Sequence, residues 1–437
     1  MSAPAPPAEP AGAPEPPAPS LVPWGGLWLT YFATMGAFNP YAPLWFKSLG
    51  LGTLAIGAIA SLQSWTRLIA PYAWSWLADH RGGRVRLLRF AAGGALLAAL
   101  GLALAPWLGA LVGGGTGAAS VASAAASASA PMAAAGAPGV PVAWLVAMVA
   151  LLFIANGGVV PLAEAALAQL IGTAQGVDPG RYGRVRVWGS VGFILAVMAA
   201  GPWLQWAGIG AFAWTVVALN ALLLAATWRV PPLPEVHHHH EPTPPVWPVL
   251  RQPAVAWLMA SMFFTVLAHT SLYAFFSLYL DELGYPKSAV GALWAVSVGA
   301  EIIAFLTQGR WFRWCSPHGW LQWAGVVAAL RFAATAVGGA QAAVLVLCQL
   351  THVVTFAAHH AACITLVSRY FPGRLRGRGQ ALYSALGYGL SGLVGGVGGG
   401  WLIEHLGFAA VFWAATVAGA VGWACAWRAG RLADAAG

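Results

Sequence analysis

About twelve apolar runs follow one another along this chain, at roughly residues 24–46, 53–77, 87–108, 142–170, 186–206, 210–228, 254–280, 288–308, 319–337, 342–367, 380–403 and 408–427. Each is close to the ~20 residues that a helix needs to cross the hydrocarbon core of a bilayer. In lipid, backbone N–H and C=O groups must be satisfied within the chain, so runs of this length have helices as their natural state. Charged residues make up only 8% of the chain and apolar ones 59%, whereas a soluble domain is about one-quarter charged. The expected fold class is therefore all-α integral membrane, and twelve transmembrane helices are expected.

An internal repeat groups those helices. The stretch LYLDELGYPKSAVGALWAVSVGAE at 278–301 is matched at an offset of about 234 by LWFKSLGLGTLAIGAIASLQSWTR at 44–67. The copies share Leu44/Leu278, Leu49/Leu283, Gly50/Gly284, Ala55/Ala289, Gly57/Gly291 and Ala58/Ala292. Each copy reads as the end of one helix, a tight turn and most of the next. A second alignment at an offset of about 196 sets Leu151, Asn156 and Glu164 against Leu347, His352 and His360. The smaller offset is what an insertion in the first half produces, and residues 109–141 form an uncharged Gly/Ala/Ser segment placed to be that insertion. Two parallel six-helix bundles are the simplest organisation.

The domains expected are a disordered Pro/Ala tail at 1–23, a first bundle at 24–228 carrying the flexible external loop 109–141, a Pro-rich linker at 229–253, a second bundle at 254–428 and a tail at 429–437. The tail has no basic segment leading into a short apolar core, so it does not resemble a signal peptide. The formal net charge of +9 is topological. Arginines crowd alternate loops (Arg81 to Arg89, Arg181 to Arg186, Arg229 and Arg251, Arg310 and Arg313, Arg369 to Arg378, Arg428 and Arg431), and the opposite loops carry only Lys47 and Lys287. The positive-inside bias then puts both termini in the cytoplasm of a multi-pass protein of the cell (inner or plasma) membrane. No nucleic-acid partner is implied.

Arg67 and Arg331 are left inside apolar helices, and the repeat sets Arg67 opposite Glu301. An ionisable group at bilayer depth is costly by roughly 2.5 to 3.5 kcal/mol and usually lines a pathway. Burial favours the protonated form of a carboxyl and a nearby guanidinium the ionised form. Exchanging those surroundings would load and unload a proton, so Glu301 is the expected coupling residue and Glu164 the second candidate. Arg67 and Arg331 are the candidate partners, for that carboxyl or for an anionic substrate. A permanent structural ion pair is the plainer alternative.

Other polar side chains on apolar helices are candidate cavity residues: Asn39, Gln63, Asn156, His269, Tyr273, His352, His359, His360, Gln380 and Ser384. A lone histidine on such a helix is also readily explained as a hydrogen-bonded core residue. Gly392, Gly396 and Gly400 make a small-residue strip suited to helix packing. The four cysteines have no CxxC spacing, and the run His237 to His240 has no fixed geometry, so neither disulfide nor metal site is expected. No HExxH, nucleophile elbow or phosphate loop occurs, so an enzyme is not expected.

The segment SWLADHRGGR after the second run resembles the G-x-x-x-D-(R/K)-x-G-x-(R/K) loop of the major facilitator superfamily, with Asp79, Gly82 and Arg84 in place and Ser75 where that family has glycine. With RYGRVRVWGSVGF at 181–193, PLAEA at 161–165, AEIIAF at 300–305 and the His352 to His360 spacing, the chain resembles the phenylpropionate-permease branch, a relative of the lactose-type sugar:proton symporters. That resemblance implies a cavity walled by helices 1, 2, 4, 5, 7, 8, 10 and 11, and a cytoplasmic gate formed by Asp79, Arg84, Arg184 and Arg186. It implies a proton-coupled symporter working by alternating access, with no cofactor beyond the proton gradient. The expected partners are a small-molecule substrate, the proton and the bilayer, and the chain is expected to be a monomer. Excess arginine and many aromatic residues favour an aromatic carboxylate of the 3-phenylpropionate type. A lactose-like oligosaccharide or a nucleoside is the alternative cargo, and a non-transporting membrane receptor the alternative of another class.

Overall fold

The computed structural model describes residues 20–108, 141–173, 176–232 and 245–435. Most of the Pro/Ala tail, almost all of the expected external loop, and the linker histidines His237 to His240 lie outside the described residues. Twelve long helices follow in order: α1 (Val22–Ser48), α2 (Thr53–Arg81), α3 (Arg84–Ala103), α4 (Val142–Leu170), α5 (Pro179–Trp206), α6 (Phe212–Arg229), α7 (Pro253–Glu282), α8 (Lys287–Trp311), α9 (Pro317–Gly338), α10 (Ala342–Tyr370), α11 (Gly373–Leu406) and α12 (Phe408–Asp434). Ten of them are long and apolar enough to cross a membrane. The two that fall short are α1, with Pro40 and Pro43, and α2, with Pro71, Gln63 and Arg67, both rich in tryptophan and tyrosine. Among the described residues the only strands are a two-residue antiparallel pair, Gly172–Thr173 with Gly176–Val177, between α4 and α5.

The same neighbours recur in both halves. In the first, α1 packs on α5 and α6, α3 on α4 and α6, and α2 on α4; in the second, α7 packs on α11 and α12, α9 on α10 and α12, and α8 on α10. The glycines shared by the repeat are where this symmetry needs them. Gly50 and Gly284 turn the chain with φ of 85° and 79°, a left-handed conformation that a Cβ disfavours. A Cβ on Gly57 would strike the Gly396 carbonyl of α11, and one on Gly291 would strike the Val197 carbonyl of α5. The halves therefore touch along two equivalent seams, α2 with α11 and α8 with α5. Lys47 and Asp281, one repeat apart, form an ion pair at 2.7 Å. Symmetry mates meet only near their axis, so this pair marks the pseudo-two-fold.

These seams lie at one end of the molecule. There a single apolar core runs through both halves, joining Tyr41, Ile56, Val197 and Phe212 to Phe275, Leu278, Val290 and Phe412. Tyr41 donates to the Val197 carbonyl at 2.9 Å, Thr53 to the Gly400 carbonyl at 3.0 Å, and Ser288 to Gln205 at 3.1 Å. Toward the arginine-rich end the core divides. One cluster, from Trp24 to Val230, belongs wholly to the first half, and another, from Val255 to Ala429, wholly to the second. The halves are joined at one end and separate at the other, leaving a central opening toward the arginine-rich loops.

Candidate functional site

Arg331 on α9 is only 3% exposed; its Nε is without a partner among the described residues, so in apolar surroundings the cost of the guanidinium rests on how its two terminal nitrogens are met. Its Nη1 donates to His352 Nδ1 at 2.8 Å and to Thr355 Oγ1 at 3.0 Å; its Nη2 donates to Gln349 Oε1 at 2.8 Å. The same amide oxygen accepts from Ser297 Oγ of α8 at 2.9 Å. All three Arg331 partners lie on α10, at positions 349, 352 and 355, so one face of that helix is shaped around the guanidinium.

An arginine only donates, so His352 Nδ1 must be an acceptor and its ring proton must sit on Nε2. That Nε2 lies 2.9 Å from Glu301 Oε1 of α8. The result is a directed chain, Arg331 to His352 to Glu301, in which the neutral imidazole accepts from a cation on one side and donates to a carboxylate on the other. Among the described residues no carboxylate pairs with Arg331, and its charge is balanced one residue removed, through the ring. The Glu301 side chain is 14% exposed against 3% for His352, so the carboxyl is the member of the chain that the opening reaches.

Rings enclose this chain. His269 of α7 donates from Nδ1 to the Thr265 carbonyl at 2.7 Å, which leaves its Nε2 as a buried acceptor without a partner. Its ring centroid is 5.5 Å from that of His352, and Tyr273 stacks on Trp294 at 6.0 Å. Phe356 lies nearly parallel between His352 and His360, at 5.2 and 6.1 Å. His360 Nδ1 is 3.2 Å from the Tyr383 hydroxyl, which is 3.2 Å from that of Tyr388. Both helices carrying these residues are wound as π-helix, over Val353–Ala358 and Ser384–Leu390. In a regular α-helix residues five apart point roughly 140° away from each other; the wider turn brings Tyr383 and Tyr388 onto one face.

Across the opening, the first half contributes Arg67. It is exposed, no hydrogen bond or ion pair engages it among the described residues, and it lies close enough to act electrostatically on Tyr31, Tyr273 and Tyr388. Tyr273 and Tyr388 also feel Glu301. Arg67 and Glu301 thus flank one space from opposite halves without pairing. Gln63, one turn away from Arg67, is 3.5 Å from Asn39 Oδ1.

The remaining expected residues lie elsewhere. Glu164 accepts from the Tyr182 hydroxyl at 2.8 Å, on the first-half wall and apart from Glu301. Arg186 is held between the rings of Trp28 and Phe32, at 4.9 and 4.5 Å. Asn156 is buried with both amide atoms unpartnered. His359 sits beside Cys363 at 3.5 Å, in the core of α10. Gln380 and exposed Ser384 lie on the first turns of α11, nearer the open end. Asp79 and Arg84 pair at 3.4 Å within their own loop, and Arg184 is exposed. Gln349, Tyr383 and Tyr388 belong to the site without having been singled out as candidates. Gln349 had a readable signal, an amide in an apolar run three residues before His352.

Among the described residues no three metal-ligating side chains cluster together. The MFS_1 like family model matches residues 23–414. A probable 3-phenylpropionic acid transporter of Escherichia coli (strain K12) is 28% identical over 393 residues, covering 88% of this chain and 92% of that one. A maltose permease of Geobacillus stearothermophilus is 28% identical over 278 residues, covering 61% and 66%. Among solved structures, a mutant of the nucleoside transporter NupG superposes with a TM-score of 0.74 at 15% identity, covering 94% of this chain and 99% of that one. A D-xylose-proton symporter gives 0.66 at 15% identity, with 93% and 96% covered.

Proposed function

This chain belongs to the MFS_1 like family, and from that premise we propose that it imports a small aromatic carboxylate together with a proton. It is a multi-pass membrane protein and a secondary transporter, not an enzyme. The observation that carries the proton reading is the contact of Glu301 with His352, whose other nitrogen is taken by Arg331. The chain is built so that the outermost group is a carboxyl and the cation behind it is immobile. A proton exchanged with the opening passes Glu301 first. Once Glu301 is neutral, the charge of the site rises by one and an anion is more strongly attracted.

The anion is held by Arg67 in this reading. Arg331 has three of its donor contacts committed within the protein, whereas Arg67 is exposed and without a hydrogen bond or ion pair among the described residues, near Tyr31, Tyr273 and Tyr388. A guanidinium binds a carboxylate through two parallel hydrogen bonds, and the stacked Tyr273 and Trp294 offer a ring its face. Similarity to a probable 3-phenylpropionic acid transporter supports the same class of cargo. Glu164, hydrogen-bonded to Tyr182, is a second proton station on the opposite wall. With the arginine-rich loops and both termini in the cytoplasm, the open end of this structure faces inward, the state that releases cargo.

Uptake into proteoliposomes tests the reading. Wild type should accumulate 3-phenylpropionate when the outside is made acidic. Glu301→Gln should still bind and exchange it but lose pH-driven accumulation. If Glu301→Gln accumulates as wild type does, this carboxyl is not the coupling group; if nucleosides or maltose are taken up and 3-phenylpropionate is not, the cargo assignment falls.

A further inference from the structure

Helices α9 and α12 pack only within the second half, on the side away from the transport opening. At the arginine-rich end, where α9 begins and α10 and α12 finish, they enclose a recess of about 510 Å³ lined by Ser316, His318, Arg369, Trp427, Arg431 and Asp434. This is within the usual range of small-ligand pockets. We propose that the recess holds the headgroup of a membrane phospholipid, one with a singly charged phosphodiester and a hydrogen-bond donor beside it.

Charge, depth and sign all bear on that assignment. Arg369 and Arg431 are exposed, and among the described residues neither is in an ion pair. They stand where α10 and α12 end, so their charges lie at the level of lipid headgroups rather than hydrocarbon. The first turn of α9 adds the positive end of a 22-residue helix whose cap, Ser316 Oγ, is already used by the Gly319 N–H. Basic recesses between membrane helices suit anionic headgroups. Trp427, 46% exposed on the same wall, is the residue type that settles at the membrane interface, with the Arg431 guanidinium 5.8 Å from its ring.

Asp434 selects the kind of phosphate. Its carboxylate shares the lining with the two guanidiniums and forms no ion pair with either among the described residues. A doubly charged inorganic phosphate would be repelled by it. A phosphodiester with one charge and a neighbouring hydroxyl or ammonium matches both signs, the phosphate on the arginines and the donor on Asp434.

Native mass spectrometry of the delipidated full chain, titrated with phosphatidylglycerol, phosphatidylethanolamine or phosphatidylcholine, tests this. One phosphatidylglycerol or phosphatidylethanolamine should be retained more tightly than phosphatidylcholine, which lacks the donor. Replacing both Arg369 and Arg431 by Gln should weaken retention roughly thirtyfold, while Arg428→Gln, an arginine of the same helix end outside the recess, should leave it unchanged. Should the double variant not stay monodisperse, Asp434→Asn alone decides, because it should abolish the preference over phosphatidylcholine. Retention indifferent to the double substitution, equal loss with Arg428→Gln, a preference that survives Asp434→Asn, or displacement by inorganic phosphate alone would each overturn the proposal.

Discussion

Arg67 and Arg331 are both arginines in apolar helices, yet their surroundings assign them opposite tasks. Arg331 is buried, with Gln349, His352 and Thr355 arranged around it. Removing it would leave those acceptors and the Glu301 charge uncompensated, so Arg331→Gln should destabilise the protein by about 3 kcal/mol or more, seen as a lower thermal midpoint in detergent. Arg67 is exposed and makes no hydrogen bond or ion pair among the described residues. Arg67→Gln should leave that midpoint in place and weaken binding of 3-phenylpropionate roughly 10- to 100-fold, the loss of a charge-assisted hydrogen bond. Arg67→Lys should recover only part, because an ammonium lacks the two-pronged geometry. Unchanged affinity in Arg67→Gln would remove Arg67 from the anion site. Sequence spacing aligned Arg67 with Glu301 across the repeat. It was silent on pairing, because the choice of His352 over Arg67 as Glu301's neighbour depends on rotation of α8 against α10.

The seams and the π-turns decide what the helices can do. Along α2 and α11, Gly57, Ser61 and Thr53 meet Gly396, Gly392 and Gly400 so closely that a Cβ on Gly396 would collide with Ser61 Oγ and the Gly57 carbonyl. Gly396→Leu should therefore hold this end apart. Spin labels on Ser48 and Leu283, at the ends of α1 and α7, should then report a longer distance than in wild type, and uptake should fall. An unchanged distance would mean that the α2 and α11 seam does not close the molecule. The glycine strip itself was visible as a four-residue spacing, since small residues at helical period announce close packing. The π-turns were not visible. Ser384 to Leu390 carries Gly387 and Gly389 and packs against α7 of its own half and α2 of the other, contacts that no local pattern announces, so the meeting of Tyr383 with Tyr388 could only be found in three dimensions.

For the whole molecule, the two repeat copies placed on a common axis account for both its closed end and its open one. Lys47 and Asp281 meet on the axis at 2.7 Å, whereas Arg67 and Glu301, the same two registers one helix further on, face each other across the opening. A carrier of this design has its energetics set by what crosses with each turn of the cycle. A proton moving alone down a membrane potential gains about 2.3 kcal/mol per 100 mV. If each proton on Glu301 travels with one monoanion on Arg67, the loaded site carries no more charge than the empty one, and that voltage term vanishes. Only the pH difference then drives accumulation, by about tenfold per pH unit. Proteoliposomes given a potassium diffusion potential at equal pH should show no accumulation of 3-phenylpropionate, and those given one unit of inward acid gradient without voltage should approach tenfold. Uptake driven by voltage alone would require a second proton per turnover, for which Glu164, hydrogen-bonded to Tyr182 on the opposite wall, is the group to substitute next.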